Sequence, residues 1–502
     1  VLDKYNYLDG RDRSFIKRLT EGTIERQIEL DYYLDQLSKL PVRKMKSLIR
    51  CLLRMSAYQL IYMDAVPDSA VCNEAVRLAG KRGFRDLKGF VNGVLRNLSN
   101  RKGQISLPDD RKEPVRFLSV KYSMPVRIVE LWLSQYGREV TERMLEGMMR
   151  IHPVSLRFSS GLSDRQREEW MEKLRQAGAE VRESAYLPYV CFMEHGDNVS
   201  RLPGFEEGVF TVQDVSSALA VEAAQIRDAD LVMDICAAPG GKSILAAEKA
   251  RRVIARDISD RKTAVIEENI RRMGAQNVEV QVFDATEFDG EYEEKADIVL
   301  MDVPCSGLGV MGKKRDIKYH VTPEGLENLM ALQRRIVDNS WRYVKPGGIL
   351  IYSTCTIHSG ENEAMVKYIC EELPFEPVSL ENALPRILWE QKRTLESRIR
   401  QGVQDPEGMY ARQGKQDPEG MHACQRKQDP EGMHARQGNQ DPEEMHACQG
   451  KQIQEELRKR QELHTQEETG IHLSEKEQAS CIRLLPGYME CDGFFFAKFR
   501  RK

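Results

Sequence analysis

Two cysteines stand just beyond the ends of apolar runs: Cys305 in MDVPCSGLG (301–309) and Cys355 in YSTCT (352–356). A free cysteine is most often a small buried hydrophobe, and Cys51, Cys72, Cys191 and Cys370 are read that way. Two thiols at neighbouring strand mouths are a different case, because open α/β sheets bind ligands outside the carboxyl ends of their strands. A third apolar run, in LVMDICAAPGGKS (231–243), passes through small residues into a helical stretch, which is how a nucleotide-like ligand is held near a helix N-terminus. A phosphate-cradling loop needs glycine five residues before its Gly-Lys, and here that position is Cys236. The fingerprint G-x-G-x-x-G is missing too. An acid does fit: Asp257 closes the next run, where a carboxylate can accept both ribose hydroxyls. A ribose without a pyrophosphate points to S-adenosylmethionine. Asp284, ending the third run, then lies near the adenine amino group, and Ala237, Ala238, Pro239, Gly240 and Gly241 let the backbone approach the amino-acid end.

Nitrogen methylation predicts Asn/Asp-Pro-Pro-aromatic after the fourth run, and this chain has Asp302-Val303-Pro304-Cys305. Thiols are useful where the methyl acceptor is a pyrimidine carbon, because C5 of cytosine is too weak a nucleophile to attack a sulfonium unaided. Addition of a thiolate to C6 supplies the electron density; C5 takes the methyl group, a base removes the C5 proton and the thiolate is eliminated. A second thiol can assist that release.

The elements that must position these groups alternate between short apolar runs and helical stretches from Phe210 to Glu372, as a parallel sheet requires. The runs are Leu231–Ile235, Arg252–Ala255, Val278–Val282, Ile298–Met301 and Ile349–Tyr352, with helices expected at Ser243–Ala250, Arg261–Met273, Pro323–Tyr343 and Glu361–Cys370. A last strand pair is expected at Ile482–Leu485 and Phe494–Phe499. Residues 1–100 read as all-helical, with helical patterns at Asp12–Asp35, from Val42, at Asn73–Lys81 and at Asp86–Leu98. They hold 18 Lys+Arg against 12 Asp+Glu. Arg43, Lys44 and Arg50 are either a solvated helix surface or contacts to RNA phosphates. Lys313, Lys314, Arg315 and Lys318 form a second basic group just after Cys305. Residues 101–205 read as connector helices followed by a small α/β unit: strands at His152–Phe158 and Glu180–Tyr189, with a helix at Ser163–Ala177 between them.

Residues 389–480 are read as a disordered insertion. QDPEGM begins at Gln404, Gln416 and Gln428 and QDPEEM at Gln440, and only 8 of the 90 residues 391–480 are Leu, Ile, Val or Phe, too few to offset the entropy of ordering. The His and Cys of these repeats recur because the unit does, so no metal site is expected. The whole chain is 41% apolar and 30% charged with a net charge of −3, which excludes a wholly disordered or fibrous protein and leaves RNA affinity to local patches. No apolar run approaches a bilayer-spanning length, and the eleven cysteines form no CxxC pair. A soluble, cytoplasmic protein with reduced thiols, no membrane association and no obligate protein partner is expected.

CAAPGGK at 236–242, DVPCSG at 302–307, STCT at 353–356 and the closing LLPGYMECDGFFFAKF resemble the RNA cytosine-C5 methyltransferases of the RsmB/NOP2/NSUN family. DRSFIKRLTEGTIE at 12–25 and LKGFVNGVLRNL at 87–98 resemble the NusB-like RNA-binding domain, and the fusion is typical of bacterial enzymes acting on small-subunit (16S) ribosomal RNA. The resemblance implies a multidomain architecture: an all-α NusB-like domain (1–100), a connector with a small α/β domain (101–205), and an α/β Rossmann-like class I S-adenosylmethionine-dependent methyltransferase domain (206–388 and 481–502). It implies methylation of C5 of a cytosine, cytosine 967, in free or early-assembly 16S rRNA. Cys355 is then the nucleophile, Cys305 the releasing thiol, Cys236 to Lys242 with Asp257, Asp284 and Asp302 the cofactor site, and Asp302 also positions the cytosine. The chain departs from the family in lacking a counterpart of the first NusB-like helix before Val1 and in carrying the repeats. The competing readings are the same chemistry on transfer RNA or another ribosomal site, and an inactive NusB-like RNA-binding or assembly protein.

Overall fold

A computed structural model describes residues 7–150, 153–194, 199–403 and 471–502. The N-terminal unit is α1 (Gly10–Glu25), α2 (Gln27–Leu37), α3 (Ser47–Tyr62), α4 (Asp68–Lys81) and α5 (Lys88–Arg101). Their apolar faces meet in one core around Leu30, Leu34, Leu53, Val91 and Leu95. The single pattern expected over 12–35 is two helices, because the chain breaks at Arg26. That break exposes carbonyls that a continuous helix would have used. Lys318 Nζ donates to the Glu25 carbonyl and the Tyr319 hydroxyl to that of Ile24, both at 2.8 Å, while the Ile28 amide donates to Ser123 Oγ. Arg315 lies 3.4 Å from Glu25 and 3.5 Å from Glu21. The helical unit is thus docked on the segment that follows Cys305. Cys51, expected inside, is exposed on α3, on the side away from its neighbours Leu52 and Leu53.

Next come α6 (Pro114–Lys121), the long α7 (Val126–Met149) and a small antiparallel sheet of β1 (Val154–Phe158), β2 (Glu180–Glu183), β3 (Val190–Glu194) and β4 (Phe210–Val212), in the order β2-β3-β1-β4. The helix α8 (Asp164–Gln176) opens on a capping box between Ser163 and Gln166 and covers that sheet through Met171 and Leu174. Two boundaries differ from expectation. The stretch Glu180–Tyr189 is β2 plus a turn, with the buried β3 just beyond it. β4 belongs to this sheet, so the middle unit continues past residue 205. Buried Arg157 of β1 ties the unit to the next one through Gln213 and Glu248, each at 2.6 Å.

The third unit contains α9 (Val215–Ala224), β5 (Leu231–Asp234), α10 (Gly241–Ala247), β6 (Arg252–Asp257), α11 (Asp260–Met273), β7 (Val278–Val282), β8 (Ala296–Asp302), α12 (Pro323–Ser340), β9 (Val344–Thr354), α13 (Glu363–Glu372) and β10 (Phe375–Pro377). After α14 (Arg386–Val403) and α15 (Glu475–Ser480) it closes with β11 (Cys481–Leu484) and β12 (Phe494–Arg501). The strand order is β10-β12-β9-β8-β5-β6-β7; β5 to β9 run parallel, β12 is antiparallel to β9, and β11 pairs with β12. Successive strand residues serve opposite faces. Val232, Val253, Ile298 and Phe496 pack under α9 and α10, whereas Met233, Ile254, Val299 and Phe495 pack with Ile336 and Val337 of α12 and Val366 of α13. The chain order reverses between β6 and β8 on the two sides of β5, which opens a ligand crevice at the carboxyl ends of β5 and β8.

Residues 389–403, expected to be part of the insertion, belong instead to a helix. α14 carries the chain to residue 403 and seats Leu395 in a core with Trp132 and Tyr136 of α7, and Leu388 and Trp389 are buried as well. At the far end α15 is capped by Ser474. The four repeats, with His422, Cys424, His434, His446 and Cys448, lie outside the described residues. Among the described residues no helix is long and apolar enough to cross a membrane.

Leu395→Ala should cost about 2–5 kcal/mol through the cavity it leaves, and calorimetry should show a melting temperature lowered by several degrees; exposed Arg393→Ala on the same helix should leave it unchanged. Burial lowers the Lys318 ammonium to about 8 from 10.5. Between those values the unfolded chain binds more protons than the folded one, so this lysine makes stability rise with pH from 8 to 10.5 and penalises it below 8. Lys318→Met should remove that part of the slope, as read from denaturant midpoints at pH 7.5 and 9.5.

Candidate active site

The β5–α10 loop is shaped by what its residues lack. Gly240 sits at φ 102°, and a Cβ there would press on Ile266 of α11. Asp257, at the end of β6, accepts from the Ala238 amide (2.9 Å), the Ile258 amide (2.8 Å) and Lys262 Nζ (2.9 Å). It therefore fixes the loop and, as a carboxylate with about four lone-pair sites, keeps room for further donors. Asp284 receives the Thr286 amide and hydroxyl on one oxygen, which hold its carboxyl below the ordinary range; its other oxygen has no hydrogen bond among the described residues. Asp234 lies beneath the loop, and burial pushes it up to about 6 although Ser243 donates to it at 2.6 Å. Burial, with the nearby carboxylates of Asp234 and Asp257, likewise pushes the Cys236 thiol up. A loop of small side chains flanked by acids at successive strand ends fits the methionyl, ribose and adenine parts of S-adenosylmethionine in that order.

Across the crevice, Lys242 Nζ donates to Asp302 at 2.7 Å, and Ser353 Oγ donates to the other Asp302 oxygen at 2.8 Å. Burial would depress the Lys242 ammonium, but Asp302 outweighs it and holds the lysine charged. Asp302 therefore joins the cofactor loop to the ends of β8 and β9.

Past those ends the two sulfurs of Cys305 and Cys355 lie 3.3 Å apart. Their hydrogen bond raises Cys305, with burial and the nearby Glu361 adding to the effect. The same bond lowers Cys355; burial and Asp302 oppose this, while Lys314 and Lys242 assist it. The pair is polarised, with the thiolate favoured on Cys355 and the proton on Cys305.

The Cys305 and Cys355 loops are locked to each other and to the C-terminal strand. The Gly309 amide donates to the Cys355 carbonyl at 3.1 Å, and the Gly493 amide donates to the Gly309 carbonyl at 2.9 Å. A Cβ on Gly309 would run into the Gly493 carbonyl. From the other side, Tyr136 of α7 donates to the Ile357 carbonyl (2.9 Å) and Gln135 to Ser359 (2.9 Å).

The basic residues after Cys305 do not act as one patch. Lys313 bridges Asp214 (2.9 Å) and Asp492 (2.8 Å), Arg315 faces Glu21 and Glu25, and Lys318 is buried in the domain junction. These three charges are matched by carboxylates or carbonyls inside the protein, whereas the sequence reading expects Lys313 and Arg315, with Lys314, to contact RNA beside the reacting base. Lys314 stands exposed, with no ion pair among the described residues, near enough to Cys355 to favour its thiolate. On the helical unit Arg43 and Lys44 are exposed in the turn before α3, and Arg50 is half-buried one turn into it. Sequence reasoning passed over buried Glu361, Gln333 and Thr356 and half-buried Ser306, which form a polar cluster behind the thiols; only the GENE run at 360–363, closely following a strand end, hinted at it.

The comparisons agree with this geometry. The model of the 16S rRNA methyltransferase RsmB/F family matches residues 221–409, and that of the NusB family matches residues 1–100. A probable ribosomal RNA small subunit methyltransferase B of Bacillus subtilis is 35% identical over 392 residues, covering 76% of this chain and 86% of the relative. One from Synechocystis is 30% identical over 371 residues, covering 73% and 82%. Among solved structures, one titled "Crystal Structure of PH0851" superposes with a TM-score of 0.68 at 20% identity over 99% of this chain and 92% of that one. A methyltransferase homolog from Pyrococcus horikoshii gives 0.53 at 20% identity over 78% and 99%. A parallel sheet with an acid-flanked cofactor loop, joined to a NusB domain and matched along most of its length by these relatives, places the chain in the RsmB/F family of S-adenosylmethionine-dependent 16S rRNA methyltransferases.

Proposed function

We propose that the protein methylates C5 of a cytosine in 16S ribosomal RNA, cytosine 967, through a covalent adduct between Cys355 and C6. The observation that carries this reading is the pair of thiols 3.3 Å apart beyond the ends of β8 and β9, beside the cofactor loop. S-adenosylmethionine supplies an electrophilic methyl group. Cys355 adds as thiolate to C6, which makes C5 nucleophilic enough to take that methyl group. Asp302 accepts a hydrogen bond from the cytosine amino group and so positions the base; its fixing by Lys242 and Ser353 supports that role. Bonding to carbon removes the charge from Cys355, and with it the main reason for Cys305 to hold its proton. Cys305 then gives its proton to solvent and its thiolate takes the C5 proton; the C5–H electrons re-form the C5–C6 double bond, the C6–S bond breaks, and Cys355 leaves as thiolate.

The target base must leave its stack to meet a thiol and a methyl group together. Lys314 is the cation beside that position, and Arg43, Lys44 and Arg50 supply phosphate contacts on the helical unit. The substrate is free or early-assembly ribosomal RNA, and the setting is the cytoplasm. Bisulfite sequencing of ribosomal RNA from cells with and without the gene identifies the modified base.

Cys355→Ala should abolish methylation and all covalent RNA adduct, whereas Cys305→Ala should accumulate adduct because addition proceeds and release fails. Denaturing gels of enzyme, RNA and S-adenosylmethionine separate the two, and an adduct persisting in Cys355→Ala would reverse the roles. Charge reversal at Arg43, Lys44 and Arg50 should weaken RNA binding and flatten the slope of log K against log salt by about 0.7–0.9 per lost phosphate contact. Lys314→Ala should lower turnover more than affinity. Unchanged binding and slope in the charge-reversed variant would make those three residues a solvated surface.

A further inference from the structure

Glu361 lies on the loop after β9 and is fully buried. Its oxygens receive the Ser306 amide at 2.9 Å, the Ser306 hydroxyl at 2.5 Å and Gln333 Nε2 at 3.0 Å. Gln333 Nε2 also donates to the Pro304 carbonyl at 3.0 Å, and Ser306 Oγ lies 2.8 Å from Thr356 Oγ1. The residues gripped in this way, Pro304, Ser306 and Thr356, are the chain neighbours of the two cysteines. Two oxygens taking three donors is the pattern of an ionised carboxylate. Enclosing such a group is costly unless its surroundings are organised around it. The other charged and titratable groups around the thiols are Asp302 of β8, Lys242 of α10, Lys314 of the following loop and the Tyr352 hydroxyl, which donates to the Glu361 carbonyl at 2.7 Å; His358 stands 3.6 Å from the Glu361 carboxylate. The cations act on Cys355, and the Glu361 carboxylate acts on Cys305.

We propose that Glu361 is the positioning residue of the thiol pair: its buried carboxylate, gripped by Ser306 and Gln333, holds the Cys305 loop within reach of Cys355 and presents a negative charge on the Cys305 side of the pair. This rests on the assignment of Cys355 as nucleophile and Cys305 as releasing thiol, and it explains why two chemically identical thiols take different parts. Glu361 touches neither base nor cofactor; it acts through Cys305.

The test uses the full chain. Thiols are alkylated with iodoacetamide at pH 7 and quantified by peptide mass mapping, beside adduct gels and steady-state kinetics with ribosomal RNA. In Glu361→Gln the ratio of Cys355 to Cys305 labelling should fall about tenfold, kcat should fall by a similar factor with KM for S-adenosylmethionine unchanged, and covalent adduct should accumulate. Glu361→Asp keeps the charge but shortens the reach, so the labelling ratio should return to near the wild-type value while kcat stays low. Ser306→Ala guards against a Glu361→Gln protein that does not fold: it removes one grip and no charge, and should accumulate adduct with unchanged labelling. A folded Glu361→Gln with wild-type labelling ratio and turnover, or a Ser306→Ala that releases product normally, overturns the proposal. Failure of the underlying roles is read separately, from an adduct that survives Cys355→Ala.

Discussion

Two sulfurs 3.3 Å apart in a site this enclosed cannot both carry a charge, and the architecture of the catalytic unit follows from deciding which one does. The contact needs two parallel neighbours, β8 and β9, ending in register, so that the loops leaving them meet. It needs cations on one side, Lys242 and Lys314, and a carboxylate on the other, Glu361. It also needs both loops to be stiff. The Gly309 and Gly493 backbones press together where any side chain would part them, and α7 holds the Cys355 loop from behind.

The same economy extends to the cofactor side and to the domain junctions. Asp302 meets Lys242 and Ser353, so a change in the loop after β5 reaches the thiol loops through one carboxylate. The helical unit is joined to the chemistry by the segment 313–319, where Arg315, Lys318 and Tyr319 meet the acids and open carbonyls at the α1–α2 break. An RNA held on that unit is thereby held at a set distance from the loop that carries Cys305. Lys313, between Asp214 and Asp492, ties the cap of α9 to the loop entering β12, and burial together with Asp214 pushes Asp492 up to about 7.

Much of this was legible where chemistry is written in consecutive residues. The β5–α10 loop, the acids at the ends of β6 and β7 and the two cysteine loops are each contiguous, and the run Val278–Val282 is a strand along its whole length. Glu361 was not legible, because its hydrogen bond to Ser306 spans 55 positions and a buried carboxylate looks like a surface one in sequence. The partners of Lys313, Arg315 and Lys318 were not legible for a related reason: sequence shows the sign of a charge but not its partner. α14 was hidden by averaging, since the repeats dilute a window that also holds Leu395 at a core position. β4 was assigned to the wrong unit because a three-residue strand beside a domain boundary carries no sign of which sheet will take it.

The most direct test of the central claim is to trap the enzyme on the RNA it modifies. RNA with 5-fluorocytosine at the target position has no C5 proton to lose, so methyl transfer proceeds and the adduct cannot break down. Digestion of the trapped complex and mass mapping should find the pyrimidine on the peptide containing Cys355, with Cys305 free to alkylate. A pyrimidine on Cys305, or methylated product without any linked peptide, would contradict the account.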